Sequence, residues 1–529
     1  CAIRKPVIDC QLILTQKTSI KMNTAHPDFD TLKQVESHEK AIVIGSGFGG
    51  LASAIRLAAK GYHVTLLEKL DALGGRGYTY KQDGFTFDGG PTIVTVPELF
   101  EELWELCGKK MSDDVDLRLM DPFYRIRFDD GRIFDYSSEK SENLRQILEY
   151  NPADAQGYER YLKASEARHK VGFALLDKPF STFAQLMRFA PDLVRLRGDQ
   201  SVYSLVSKYI KNEQLRQAVS FHPLLIGGNP YTASSLYSLI SHLEVTGGVW
   251  SAMGGTGRIV ESLGNLIRGQ GSDIRLNSEV DQITTDNGKV TGVRLKSGEH
   301  ITADLVISNA DSAWTYKYLL SETHKRKWTD RKIDKAHYSN GLFVWYFGTK
   351  KQYPDIPHHS IILGPRYKGL LTDIFKHKKP TEDFSLYLHR PTATDPSMAP
   401  DGCDAFYALV PVPHLDSGTD WTTHAETFRR AVEKRLEETG LTDLGANLAT
   451  SLMLTPLDFQ NRLNSVKGAG FSLEPRITQS AYFRPHNKSE EVDGLYLVGA
   501  GTHPGAGMPA VLSSAKVIDG LIEAPAYAS

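Results

Sequence analysis

At 529 residues, with 41% hydrophobic and 23% charged side chains, the chain is long enough for two folded units and too apolar to be a disordered one. Lysine and arginine number 61 against 63 aspartates and glutamates, a net charge of −2 that excludes the basic excess of a nucleic-acid-binding protein. Cys1, Cys10, Cys107 and Cys403 show no C-x-x-C spacing, no H-E-x-x-H occurs, and the His358-His359 pair has no adjacent acid, so neither a metal site nor a redox pair is expected.

Lys5, Asp9 and Lys17 interrupt the apolar residues at the start, and no small-residue cleavage site follows, so a signal peptide is not expected. The chain begins at Cys1, and Met22 opens the polar stretch leading to the first strand. Residues 1–21 are expected to be upstream sequence absent from the native protein, which N-terminal mass analysis of material from its source would check. Residues 1–38 as a whole read as a disordered extension.

Ala41, Ile42, Val43 and Ile44 form a short apolar run suited to a buried parallel strand, and Gly45-Ser46-Gly47-Phe48-Gly49-Gly50 follows as G-x-G-x-x-G. Gly45 permits the tight turn, Gly47 lets backbone approach a pyrophosphate, and Gly50 allows a helix over 51–60 to pack closely on the strand. The N-terminus of that helix offers free N–H groups and a positive dipole end to the phosphates. The next strand, 64–67, ends at Glu68, whose carboxylate suits ribose hydroxyls and disfavours a 2′-phosphate, so FAD or NAD fits better than NADP. Gly74-Gly75-Arg76 and Phe87-Asp88-Gly89-Gly90-Pro91-Thr92 tilt the choice toward flavin: glycine pairs let amides reach a second phosphate, and Arg76 can neutralise it.

Beyond this unit, residues 124–128 and 133–136 read as a hairpin turning at Asp129-Asp130-Gly131. Residues 141–241 lose strand character and read as helices broken at Pro152, Pro179, Pro191 and Pro230. Within them, residues 173–197 mix Phe180, Phe183, Leu186, Met187, Phe189 and Leu193 with Lys178, Arg188, Arg195 and Arg197, a composition that suits either an interfacial helix pair around Pro191 or a core-facing helix with solvated charges. Strands are expected over 273–277, 280–283, 290–295 and 301–308, returning to the nucleotide unit. A second sheet is expected from 342–347, 384–388 and 405–410, rich in aromatic and β-branched residues. A final buried strand runs from Leu495 into the glycine turn at Gly499-Ala500-Gly501-Thr502, and Pro504-Gly505-Ala506-Gly507-Met508-Pro509 precedes a helix over 510–522. No window holds ~18 uninterrupted apolar residues, so no transmembrane helix is expected.

From residue 40 to 524 the chain resembles the carotenoid desaturases of the bacterial and fungal phytoene desaturase type, within the flavin amine-oxidase-like superfamily. Beyond the nucleotide segments, the likeness rests on Ser220-Phe221-His222-Pro223-Leu224-Leu225-Ile226-Gly227-Gly228-Asn229-Pro230, Gly248-Val249-Trp250 and Gly254-Gly255-Thr256-Gly257. It continues through Glu382-Asp383-Phe384-Ser385-Leu386-Tyr387-Leu388-His389, Pro411-Val412-Pro413-His414-Leu415, Thr478-Gln479-Ser480, Phe483-Arg484-Pro485-His486-Asn487 and the block 501–515. The resemblance implies an α/β fold with a Rossmann-like FAD-binding domain (39–115, 245–312 and 476–529). It also implies a discontinuous α+β substrate domain (116–244 and 313–475) carrying a helical, membrane-facing insertion. FAD is then expected at Gly45, Ser46, Gly47, Phe48, Gly49, Gly50, Glu68, Lys69, Gly75, Arg76, Gly90, Pro91 and Thr92. The backbone of Val280 would meet adenine, and Gly90, Pro91 and the segment from Gly501 to Met508 would approach the isoalloxazine and ribityl chain. Gly501-Thr502 stands where many related flavoenzymes place an aspartate.

The implied reaction introduces successive conjugated double bonds into a carotene, a hydride passing to the flavin because no side chain can accept one. Electrons then pass to a quinone or oxygen. No catalytic side chain follows from spacing, Glu474 being the proton-acceptor candidate. The expected location is cytoplasmic and peripheral to a membrane, and no residue pattern sets an oligomeric state. Alternatives are a sister carotenoid desaturase or isomerase, an amine oxidase lacking these blocks, and a lipid carrier, against which the intact Gly45, Gly47, Gly50, Glu68 and Arg76 argue.

Overall fold

The structure, a computed structural model, describes residues 39–525, and the expectations for residues 1–38 lie outside the described residues. Five parallel strands stand in the order Leu495–Leu497, Leu305–Ser308, Lys40–Ile44, His63–Leu67, Asp273–Arg275. The central strand is apolar on both faces because both are covered. Ala41 and Val43 enter a core with Leu51, Ile55, Leu263 and Leu512, while Ile42 and Ile44 enter another with Val280, Ile283 and Val293.

The helix Phe48–Lys60 makes the crossover between the first two strands, starting three residues before the sequence reading placed it. Its first turn is built from the glycines themselves: a Cβ on Gly50 would lie 2.0 Å from the Gly45 carbonyl oxygen, so only glycine lets the helix begin this close to the turn. Gly61, at φ +105°, ends it in the left-handed conformation, with its N–H bonded to Ala58 O. The last helix, Met508–Leu521, likewise begins two residues earlier than expected and packs on Phe48–Lys60.

Val280–Asp286, Lys289–Leu295 and His300–Thr302 form a separate antiparallel sheet. The single strand expected over 301–308 is therefore two. The chain changes sheets where Ala303 N bonds Thr291 O and Asp304 N bonds Lys40 O, before Leu305–Ser308 joins the parallel sheet.

The second large sheet has seven strands in the order Leu448–Leu454, Gly341–Thr349, Asp404–Val412, Leu386–His389, His359–Ile362, Tyr124–Arg127, Ile133–Tyr136. The 124–136 hairpin forms as expected and extends this sheet through a parallel pairing with His359–Ile362. Alternation along Gly341–Thr349 sends Phe343, Trp345 and Phe347 into a core against Trp421 and Phe428, each burial worth about 1.5–3 kcal/mol. Leu342, Val344 and Tyr346 face the other way, beside Phe85, Phe87 and Tyr407.

The region 141–241 is helical, with Pro152, Pro179 and Pro230 outside its α-helices. Pro191 is not a break: Phe183–Arg195 runs through it as one helix, correcting the expected pair. A reciprocal capping box between Thr182 and Gln185 secures its start. The backbone donor that Pro191 cannot supply is missing on a face where Met187 is 54% exposed, so water can serve Met187 O.

Candidate functional site

Strand ends, glycine turns and the second sheet converge on one cavity of about 490 Å³. At its polar end, Gly45 turns at φ +87°, and Ser46 donates both its N–H and its hydroxyl to Glu68 Oε2 while Leu70 N bonds Oε1. Glu68 thus ties the first glycine turn to the second strand. Gly74 N bonds Ser46 O, and a Cβ on Gly75 would approach Gly47 Cα to 3.3 Å, so the second glycine segment lies directly on the first. Asn309 packs beneath: a Cβ on Gly49 would come within 2.7 Å of its Oδ1 and 3.1 Å of Gly499 N.

Besides Glu68, the charged groups at this end include Arg76, Asp311 and Arg484. Arg76 donates to Gly470 O and Ser465 Oγ, and burial lowers its pKa against the opposing pull of Asp311. Asp311 accepts from Ala313 N through Oδ1, but its buried Oδ2 has no partner, and burial raises its carboxyl despite Arg76. Arg484, 1% exposed, gives Nη2 to Leu473 O and Ala500 O and leaves Nε unpartnered, its pKa also lowered by burial. Buried polar atoms of this kind call for a partner. Stacked glycine amides, a helix N-terminus, an arginine pair and an unpartnered carboxylate oxygen fit a dinucleotide bearing a polar chain and ring.

Next along the cavity, Tyr346 donates to Gly89 O and Tyr407 to Gly90 O, while Thr92 Oγ1 bonds both Tyr387 and Tyr407. A Cβ on Gly89 would meet Tyr78 O at 2.3 Å, fixing glycine there. The walls then become apolar, with Leu342, Val344, Ile361 and Leu409 from the sheet facing Leu224, Ile240 and Leu243 from the helices, out to Phe173 and Leu176.

Of the expected contacts, Gly45, Ser46, Gly47, Phe48, Glu68, Lys69, Gly75, Arg76, Gly90, Pro91, Thr92, Val280 and Met508 line this one cavity. Gly49, Gly50 and Gly501 stand behind its wall, where they permit close packing: a Cβ on Gly501 would lie 2.2 Å from Ser312 Oγ. Lys69 points its ammonium at Asn461 O and Asn464 Oδ1. Glu474 is buried, raised by burial, bonded to Arg476, and outside the cavity wall. Sequence reasoning passed over Asp311, Arg484 and Glu244. Asp311 had a signal, the Asn309-Ala310-Asp311 turn after an apolar strand, whereas Glu244 had none. It is the one acid on the apolar stretch of wall, held by Tyr124 at 2.8 Å and beside His222 at 3.0 Å.

Asp88, behind Gly89, is 2% exposed, and burial lifts its carboxyl to about 7 against the N–H groups of Gly257 and Thr256. A raised acid favours the folded state below its unfolded pKa near 3.8, and that contribution is lost as pH rises toward 7. The stability difference between Asp88→Asn and the parent should therefore shift in the variant's favour between pH 4 and pH 7, read as paired thermal midpoints. A constant difference across that range would refute the assignment.

Among the described residues, no helix is long and apolar enough to cross a membrane. The profile of the family described as flavin containing amine oxidoreductase matches residues 48–517. The neurosporene-forming phytoene desaturase of Cereibacter sphaeroides is 48% identical over 486 residues, covering 91% of this chain and 94% of its own. The lycopene-forming phytoene desaturase of Pantoea ananas is 45% identical over 482 residues, covering 91% and 98%. Among solved structures, cyclohexylamine oxidase from Brevibacterium oxydans superimposes with a TM-score of 0.58 at 16% identity over 91% of this chain and 98% of its own, a likeness of fold alone.

Proposed function

The chain belongs to the flavin containing amine oxidoreductase family, and from that premise we propose that it is an FAD-dependent phytoene desaturase, converting phytoene toward neurosporene or lycopene. The observation that carries this reading is the single cavity, polar and glycine-lined at one end and walled by Leu342, Val344, Leu409, Leu224 and Ile240 along the rest. Glu244 is the acid on that stretch, and with Tyr124 and His222 on its oxygens it leaves a polar amine no free anion to bind, whereas a hydrocarbon loses nothing by leaving water.

FAD would supply hydride acceptance. The glycine turn and the start of Phe48–Lys60 would hold its pyrophosphate, Glu68 its ribose, and Arg76, Asp311 and Arg484 its remaining polar groups. The apolar walls orient the chain and exclude water, which keeps a developing carbocation from being trapped. Segments 39–115, 245–312 and 476–529 serve as the FAD-binding domain, and 116–244 with 313–475 as the substrate domain. Quinone or oxygen takes the electrons. Incubation with FAD and phytoene in liposomes, under a quinone or air, tests this: new long-wavelength absorption marks desaturation, and chromatography separates neurosporene from lycopene. Bound flavin without product would overturn the assignment.

The substrate dissolves in lipid, and a surface patch supports loading from a bilayer. Phe183, Met187 and Val194 are exposed, Phe183 contacts Tyr482, and Ile477 and Phe483 extend the patch. The cavity reaches Phe173 and Leu176, shortly before this helix. Removing two such groups from lipid forfeits about 1.5–3 kcal/mol each. The Phe183→Asp, Met187→Asp double variant should co-sediment with vesicles at least tenfold less while keeping its flavin content. Unchanged sedimentation would place the membrane face elsewhere.

A further inference from the structure

Three histidines, two in strands next to the cavity and His358 just before one of them, are left without a task by the proposed reaction. His358, His359 and His389 are buried, with one ring nitrogen of each within 4.8 Å of the others. The first two are adjacent in sequence and the third joins them through the pairing of His359–Ile362 with Leu386–His389. At one end, Tyr387 Oη lies 2.6 Å from His359 Nδ1 and 3.0 Å from Thr92 Oγ1, and both Tyr387 and Thr92 line the cavity. At the other end, His389 Nε2 lies 3.1 Å from His358 Nε2, and His358 Nδ1 lies 2.7 Å from the hydroxyl of half-buried Thr394. The buried nitrogens without a partner are His359 Nε2 and His389 Nδ1. The His359 and His389 rings pair across the sheet with centroids 5.5 Å apart and make no direct hydrogen bond, so a single held water has to join them.

We propose that Tyr387, His359, His389 and His358 form a proton wire from the cavity wall to the surface at Thr394. The wire carries outward the proton released with each double bond, and in this use it rests on the desaturase reading. In each turnover one carbon loses a hydride, with its electron pair, to the oxidised flavin, which is the oxidant. The neighbouring carbon loses a proton, and the electron pair of that C–H bond becomes the second bond of the alkene. Tyr387 hands its hydroxyl proton to His359 Nδ1 and is refilled from the substrate side. His359 releases its Nε2 proton onward to the His389 and His358 pair, and Thr394 passes it to water.

Apart from Glu244, already held by Tyr124 and beside His222, the apolar stretch of wall offers no acid to take this proton, and an isolated charge there is heavily penalised. The route by which the carotene enters opens toward the apolar patch of Phe183 and Met187, so a polar exit has to be separate. Burial holds His358 at about 3, with Arg390 adding to it and Asp395 opposing, and holds His359 and His389 well below the ordinary imidazole range, His359 lowered further by His358 and His389 and His389 by His358. Such rings are poor resting places for a proton and good relays.

The test uses the holoenzyme on phosphatidylcholine vesicles, without carotene. Anaerobic reduction of the bound flavin to the hydroquinone by two equivalents of reduced methyl viologen, which gives electrons but no proton, draws a proton from bulk water that a pH-indicator dye follows while flavin absorbance reports reduction. Proton uptake should track bleaching in the parent and lag at least tenfold in Tyr387→Phe and in His358→Gln, each with parental flavin content. Uptake that keeps pace with bleaching in either flavin-replete variant would overturn the wire. Should one variant fail to retain flavin, Thr394→Val at the exit supplies the second reading, judged by the same two outcomes. A parallel single turnover with phytoene isolates the other question: a parent that shows the lag in its variants yet never bleaches with phytoene refutes the desaturase reading and leaves the wire standing.

Discussion

Gly50→Val should yield a folded protein that binds no flavin. The new Cβ would sit 2.0 Å from the Gly45 carbonyl oxygen and 3.1 Å from its carbon, so backbone itself must move. The displacement falls on the turn at φ +87° and on the Ser46 donors that engage Glu68, the two features that shape the phosphate end of the cavity. A helix N-terminus acts on an anion within its first turn, so moving that turn removes dipole and amides together. The expected result is at least a tenfold fall in bound flavin per protein, measured by absorbance after desalting, with far-ultraviolet circular dichroism retained. Gly49→Ala tests the same end more gently, because its Cβ meets the Asn309 side chain at 2.7 Å before any backbone. Near-parental flavin in Gly50→Val would show that the cofactor does not depend on this turn.

The first strand, the glycine turn and the crossover helix were legible because each is a local device: an apolar run, a conformational need for glycine, and a helical period follow one another within thirty residues. The aromatic strands of the second sheet were legible for the same reason, their β-branched and aromatic residues alternating between two covered faces. Misreadings fell where tertiary contact decides. Residues 301–308 form one apolar pattern but two strands, because Asp304 N is claimed by Lys40 O in another sheet. Pro191 breaks helices in general but is carried here by a capped helix on a solvent-facing surface. The polar parts of the site were hardest to foresee. Arg484 and Asp311 are 173 positions apart in the chain, and the histidine cluster needs a strand pairing that joins His359 to His389. No spacing rule predicts such meetings, whereas burial and unpartnered atoms reveal them at once.

Leu409→Trp should separate the two ends of the cavity, leaving flavin in place and removing turnover. Leu409 pairs across the sheet with Val344 on one side and Tyr387 on the other, and its side chain belongs to the apolar wall just beyond Thr92. In a closed core, added bulk costs about 1–3 kcal/mol, but here the indole has open space to enter, so stability should change little. The space it takes is the space a hydrocarbon needs, and a misplacement of about 1 Å at the reacting carbon is enough to cost on the order of 100-fold in rate. Anaerobic single turnover with phytoene in vesicles should therefore show flavin bleaching slowed at least 100-fold, with flavin stoichiometry and thermal midpoint near the parent's. Leu409→Ala, which widens the wall without blocking it, should stay within about tenfold, since it removes uniform contact rather than alignment. If Leu409→Trp desaturated phytoene at the parental rate, the carotene would have to run along a different wall. If it lost flavin instead, the cofactor would have to extend further into the apolar stretch than the glycine-lined end requires.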